Sequence, residues 1–260
     1  MKSKVQSSKS KAAILVCFAL KEEAAPFRKM AAGGLRRGHH VSILLTGIGR
    51  RNAEKSLREF LNSCRRRGNE TQIKNNLETP HVVSYDPNLV LTCGFAGGLN
   101  PELKLGEVVF EIGRSRGNET QTKKNLETPY VVSYEKLLAA GAKPAKFICA
   151  DRIATTVAEK QKLRAETGAD AVEMESEAIH AICRERGISC ATVRVILDTA
   201  SEDLPLDFNA IVKPDWSLDY GKLALTIVKS PGKIGALLQL QKRCRLAAEQ
   251  LAVILGKIIW

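Results

Sequence analysis

The sequence predicts an α/β protein built on a largely parallel sheet, and three observations carry that prediction. Apolar runs at 13–19 (AILVCFA), 41–46 (VSILLT), 89–93 and 190–197 read as strands, the first and last continuous enough to be covered on both faces. Stretches of helical character follow them in alternation, the order a parallel sheet requires because its crossovers are helices. Glycine-rich segments sit at the ends of two of these strands, where open α/β sheets hold their ligands.

Taken in order, residues 1–12 are lysine-rich and polar and read as a disordered basic tail. The strand at 13–19 gives way to Lys21-Glu22-Glu23-Ala24-Ala25, which starts a helix. The strand at 41–46 leads through Gly47-Ile48-Gly49-Arg50-Arg51-Asn52 into a helix from about residue 53 to 62. The strand at 89–93 runs into Gly94-Phe95-Ala96-Gly97-Gly98-Leu99, read as a glycine-rich strand end. Further strands are expected at 106–112, 145–149, 169–173 and 190–197, with helices at 175–186, 219–226 and 237–255. The last helix is basic and amphipathic, a pattern that favours packing on its own domain over a membrane surface.

One repeat interrupts this order. Residues 68–85 (GNETQIKNNLETPHVVSY) and 117–134 (GNETQTKKNLETPYVVSY) differ at three positions. A solenoid needs more copies and a core pattern that continues through them. These two polar copies read instead as a duplicated insertion in two loops of a single domain spanning 13–260.

Composition removes several function classes. With 44% hydrophobic residues the chain can bury a core, which excludes a disordered protein. The net charge of +12 invites nucleic acid, but aromatic residues are only 5% and none interleave with the basic runs as a base-stacking surface needs. Nucleic acid is therefore not an expected partner. Seven scattered cysteines without a Cys-x-x-Cys favour a reducing cytosol and argue against a disulfide framework or a zinc site. The apolar run at 12–20 is too short to span a bilayer, and Lys21-Glu22-Glu23 ends it without a cleavage site. Gly47-Ile48-Gly49 is not a dinucleotide fingerprint, because Asn52 takes the place of the third glycine. The segment suits either an anion at a helix start or a tight strand–helix turn. No histidine follows a strand, which speaks against a Ser-His-Asp enzyme. Neither metal nor cofactor is expected.

What remains is a set of carboxylates. Asp170-Ala171-Val172-Glu173-Met174-Glu175-Ser176-Glu177 crowds acids around a methionine where a helix begins; a helix N-terminus also favours acids, yet Glu173 stands between two apolar residues. Asp198 follows the strand at 191–197 and is either an acid facing the ligand crevice or a cap for the next segment. Glu23, Glu173, Glu175 and Asp198 all lie just past expected strands. A site lined by carboxylates suits proton transfer and a cationic, oxocarbenium-like transition state.

Five segments come in the order and spacing of one superfamily: Ala19-Leu20-Lys21-Glu22-Glu23; Thr46-Gly47-Ile48-Gly49 with Asn52-Ala53; Gly94-Phe95-Ala96-Gly97-Gly98-Leu99 with Gly106-Glu107-Val108-Val109; Val172-Glu173-Met174-Glu175; and Asp198-Thr199-Ala200. The chain resembles the purine nucleoside and uridine phosphorylase superfamily, above all its 5′-methylthioadenosine/S-adenosylhomocysteine nucleosidase branch and the hopanoid-associated phosphorylase-like proteins. The resemblance implies a single-domain αβα sandwich around a twisted mixed sheet, usually a homo-oligomer, that cleaves the N-glycosidic bond of a nucleoside. By position it implies that Glu23 activates water, that Glu173, Met174 and Glu175 line the sugar site, with Met174 against the ribose and Glu175 on its hydroxyls, and that Asp198 protonates the purine. Phe95, Ala96, Gly97 and Ile153 would wall the pocket and Phe208 would cover it. Leu89 stands where many phosphorylases place a phosphate-binding arginine, which favours hydrolysis. Gly49, Arg50 and Arg51 are the candidate phosphate contacts if phosphorolysis runs instead. A non-catalytic nucleoside or nucleic-acid binder that kept the fold is the alternative from another class.

Overall fold

The computed structural model of the chain describes residues 13–33, 40–71, 87–112, 133–216 and 219–260. The basic tail lies outside these residues, as do the two copies of the repeat apart from 68–71, 133 and 134.

Among the described residues eight strands form one mixed sheet: β1 (Ala13–Phe18), β2 (His40–Leu45), β3 (Leu89–Gly98), β4 (Val108–Ile112), β5 (Lys143–Pro144), β6 (Phe147–Cys149), β7 (Ala171–Glu173) and β8 (Ser189–Asp198). The main path runs β2-β1-β3-β8-β4-β5, with β7 paired to β3 and to β6. Neighbours are parallel except β4 against β8 and β7 against β3. Helices cover both faces. Helices α1 (Lys21–Gly33), α3 (Tyr134–Ala140) and α7 (Ile234–Ile259) pack Phe27, Leu137 and Leu251 against Phe18, Leu91 and Val193. On the other face α2 (Arg50–Thr71) and α5 (Ser176–Arg186) pack Leu57, Leu61, Ile179 and Ile182 against Leu15 and Val90. The result is an αβα sandwich. Alternate residues of β1 divide between the two cores, the period-2 placement of a strand buried on both sides. The second half of α7 packs on this same domain. Among the described residues no helix is long and apolar enough to cross a membrane.

Several elements differ from expectation. Gly94 to Gly98, expected as the glycine-rich end after a strand at 89–93, forms the second half of β3, because β8 pairs along it and β7 pairs with its last two residues. Helix α2 starts at Arg50 and runs to Thr71, so residues 68–71 of the first repeat copy continue a helix instead of opening a loop. No breaker stands between the expected end and Gly68, and the arginine-rich run there has good helix propensity. Helix α4 (Val157–Thr167) was not among the expected helices, although it starts with a capping box: Thr156 accepts from Glu159 N and Glu159 returns a bond to Thr156 N. Helix α3 starts inside the second repeat copy, with Ser133 as its cap and Gly141 in the left-handed conformation at its end. Helix α6 (Tyr220–Lys229) precedes α7.

Candidate active site

The carboxyl ends of β1, β3, β7 and β8 bring distant acids together around one guanidinium. Arg194 on β8 is 1% exposed. Its Nη2 donates to Glu173 Oε2 at 2.6 Å, Glu175 Oε2 at 3.1 Å and Thr92 Oγ1 at 3.1 Å, while Nη1 lies 3.5 Å from Phe95 O. Burial works against its charge, and the coulombic pull of Glu173, Glu175 and Glu23 outweighs it, so its pKa lies above the usual arginine value. Sequence reasoning missed this residue. The signal was a charge inside the apolar run Val193-Arg194-Val195-Ile196, which a buried strand tolerates only when the charge is paired.

Glu23 sits in the first turn of α1, 4% exposed. Its Oε2 accepts from Leu20 N at 2.9 Å and its Oε1 from Phe95 N at 2.9 Å. Burial pushes its pKa up to about 7, against the lowering pull of Arg194 and of the two amides. Gly94 makes this approach feasible: with φ +146° it has no side chain, and a Cβ there would lie 2.7 Å from Glu23 Oε1 and 2.8 Å from Arg194 Nη1.

Glu173 and Glu175 have different surroundings. Glu173 Oε2 accepts from the amides of Glu175 (3.0 Å) and Ser176 (2.8 Å), and Oε1 accepts from Ser176 Oγ at 2.6 Å. Its carboxylate therefore caps α5 and neutralises Arg194 at once. Glu175 spans from Arg194 to the turn after β2, with Oε1 accepting from Gly49 N at 2.8 Å. Burial raises its pKa even though Arg194 pulls it down. Met174, between them, is buried.

The anion at the Gly47–Gly49 turn is thus a carboxylate of the chain itself. Arg50 is turned toward β6 and α5: it donates to Cys149 O and pairs with Glu177 Oε2 at 3.0 Å. Arg51 is exposed on α2. Trp216, with φ +63°, lays its ring over Gly49.

Asp198 ends β8, and its position depends on a bulge. Ile196 pairs with Ala96 and Asp198 with Gly97, which leaves Leu197 as the extra residue. A Cβ on Gly97 would lie 3.3 Å from Asp198 Oδ2. Glu23 and Asp198 therefore flank one four-residue stretch of β3, Gly94 to Gly97, about 10 Å long at about 3.3 Å per residue. Phe95 and Ala96 are the residues between them. Asp198 is 6% exposed, and burial raises its pKa against the pull of Lys160. Lys160 on α4, fully enclosed, holds its Nζ 2.5 Å from Asp198 Oδ2. Of the remaining expected pocket residues, Ile153 is bonded to the neighbour of Phe208: Asn209 accepts from Ile153 N and donates to Ile153 O, both at 2.9 Å. His180, inside α5, is bonded to Thr192 Oγ1 at 2.9 Å. Among the described residues no group of three His, Cys, Asp or Glu is placed to hold a metal ion.

The fold, with the family it matches, defines an enzyme of the nucleosidase and nucleoside phosphorylase class. The chain belongs to the phosphorylase superfamily, whose family model matches residues 17–229. No curated protein matches its sequence. Among solved structures it is similar to the 5′-methylthioadenosine/S-adenosylhomocysteine nucleosidase of Helicobacter pylori, at 16% identity and a TM-score of 0.58, covering 96% of this chain and 99% of that one. The corresponding nucleosidase of Colwellia psychrerythraea, solved with adenine, shares 18% identity over 96% of each chain with a TM-score of 0.55. The futalosine hydrolase of H. pylori gives 17% identity and a TM-score of 0.54, covering 94% of this chain and 97% of that one. At these identities the likeness is one of fold.

Proposed function

We propose that this protein hydrolyses the N-glycosidic bond of an adenosyl-type purine nucleoside, releasing the free base. The observation that carries the proposal is the placement of two buried carboxyls, Glu23 and Asp198, on either side of residues 94–97 of β3. A nucleoside seated against that backbone would have its base toward Asp198 and its ribose toward Met174 and Glu175. Asp198 gives its proton to N7 of the purine, the C1′–N9 electrons leave with the base, and the sugar acquires oxocarbenium character. Water then adds to C1′ and its proton passes to Glu23, which at a pKa of about 7 is matched to that task at neutral pH. A proton returned from Glu23 to Asp198 through solvent restores the starting state.

Water is favoured over phosphate because the groups nearest an incoming anion are already engaged. Glu175 occupies the Gly49 amide, and Arg50 is held by Cys149 O and Glu177. Glu173 acts on the sugar only through Arg194 in this reading, since Ser176 and Arg194 occupy its oxygens. Homo-oligomerisation, implied by the family resemblance, is tested by light scattering on the purified chain.

The decisive assay is adenine release from methylthioadenosine without phosphate. Asp198→Asn should remove release by about 10²–10⁴-fold with the fold retained by circular dichroism. Undiminished release from that variant excludes the mechanism. Turnover that requires phosphate, and accepts arsenate in its place, would assign phosphorolysis instead.

A further inference from the structure

Lys160 carries a charge that the reaction scheme above leaves unused. It is 0% exposed, on a helix whose other basic residues reach solvent. Two of its hydrogens are taken by the carbonyls of Thr199 (2.7 Å) and Glu202 (2.8 Å), in the loop that leaves β8. Its approach to Asp198 is that of an ion pair, since Oδ2 has no hydrogen bond of good geometry. A loop tie alone would be met by a neutral donor. Enclosing an ammonium is costly unless an opposite charge can form beside it, and Asp198 supplies that charge whenever its carboxyl is ionised.

We infer that Lys160 is the positioning residue of the general acid: it fixes Asp198 Oδ2 from the α4 side and decides how readily that carboxyl gives up the proton needed by the leaving base. This rests on the role proposed for Asp198. When Asp198 donates to N7, the carboxylate that forms is already paired with the ammonium, so Lys160 stabilises the acid's product state and makes Asp198 the stronger donor. The other charged or titratable groups around Asp198 are Glu202 from the loop, which raises its pKa, and Arg243 on α7, which lowers it; the thiol of Cys244 on α7 feels Asp198 in turn. Arg243 is itself paired with Glu202 at 2.9 Å. Lys160 is the cation in direct contact.

The test is the titration of the Asp198 carboxyl, followed by carbon-13 NMR and assigned by loss of the signal in Asp198→Asn. In Lys160→Met the midpoint should move up by about 1–3 pH units, the usual effect of removing an opposite charge at this range. An unmoved midpoint overturns the inference. The alkaline limb of the base-release profile should move in the same direction, and a limb that stays in place while the base is released also overturns it. If the wild-type protein releases no base, the hydrolase reading fails, and the NMR midpoint still decides the role of Lys160. Should Lys160→Met not fold, the double variant Lys160→Met/Asp198→Asn removes both charges. Its unfolding midpoint should recover most of the loss; no recovery means that Lys160 serves only the loop carbonyls.

Discussion

Replacing Arg194 by methionine removes the one cation among Glu23, Glu173 and Glu175 while keeping an unbranched side chain in β8. The buried guanidinium donates to two carboxylates and to Thr92 Oγ1. Removing one partner of a buried ion pair costs about 3–5 kcal/mol, a large part of the roughly 5–15 kcal/mol that holds a typical domain folded. The loss should also depend on pH, with a definite sign. Burial already pushes Glu23 to about 7 and raises Glu175, and Arg194 restrains both. Without it the folded state binds protons at these two groups up to higher pH, while in the unfolded chain they titrate near the ordinary glutamate value. Each proton held only by the folded form lowers stability by about 1.4 kcal/mol per unit rise in pH, so two give a slope of up to about 2.7 kcal/mol per unit. Chemical denaturation of wild type and Arg194→Met at pH 5, 6, 7 and 8, followed by circular dichroism, measures this. The variant should be closest to wild type at pH 5 and diverge as pH rises. A deficit below about 1 kcal/mol at pH 7.5, or one that is the same at every pH, would refute the account of Arg194 as the counter-ion of the site.

Glu23→Gln separates catalysis from stability. The folded pKa of Glu23, about 7, lies above the ordinary glutamate value of 4.5, so its stabilising contribution is complete below 4.5 and lost as pH rises through 7. That shift corresponds to about 3 kcal/mol, and the variant should lack this decline in denaturation series at pH 4.5 and 8 while losing about 10²–10⁴-fold in turnover. Gly94→Ala puts a Cβ 2.7 Å from Glu23 Oε1 at a φ of +146°; a loss of about 1–3 kcal/mol in thermal or chemical unfolding is expected, together with loss of base release. Asn209→Ala removes both bonds to the Ile153 backbone. At about 0.5–1.5 kcal/mol each, their loss should loosen the wall between Ile153 and Phe208 and raise KM more than it lowers kcat in steady-state assays.

How much of this was legible in the sequence varies from residue to residue. The placement of Glu23, Glu175 and Asp198 at strand ends followed from apolar runs and their boundaries, because a strand's limits are written locally. The stretch Gly94 to Gly98, expected as the glycine-rich end past a strand at 89–93, belongs to the strand itself for the opposite reason. Its glycines look like a break, yet β7 and β8 supply hydrogen bonds from elsewhere in the chain and keep it extended. Helix α4 was not among the expected helices, although Thr156 and Glu159 carry the three-residue spacing of a capping box. Lys160, one position further, reads as an ordinary solvated lysine, since the acid it faces is 38 residues away and reaches it only after β8 has paired with β3.

By itself, then, the sequence determined which segments are buried, the alternation that makes a sandwich, and the stock of carboxylates at the strand ends. Periodicity and capping are short-range properties, and a linear chain carries them openly. Only the tertiary structure decided which charges meet: that Arg194 collects Glu173 and Glu175 beside Glu23, that Glu175 fills the Gly49 turn, and that an extra residue at Leu197 sets Asp198 opposite Gly97 and against Lys160. Strand register and the close approach of charges in the interior arise between residues far apart in the chain, so no local pattern specifies them.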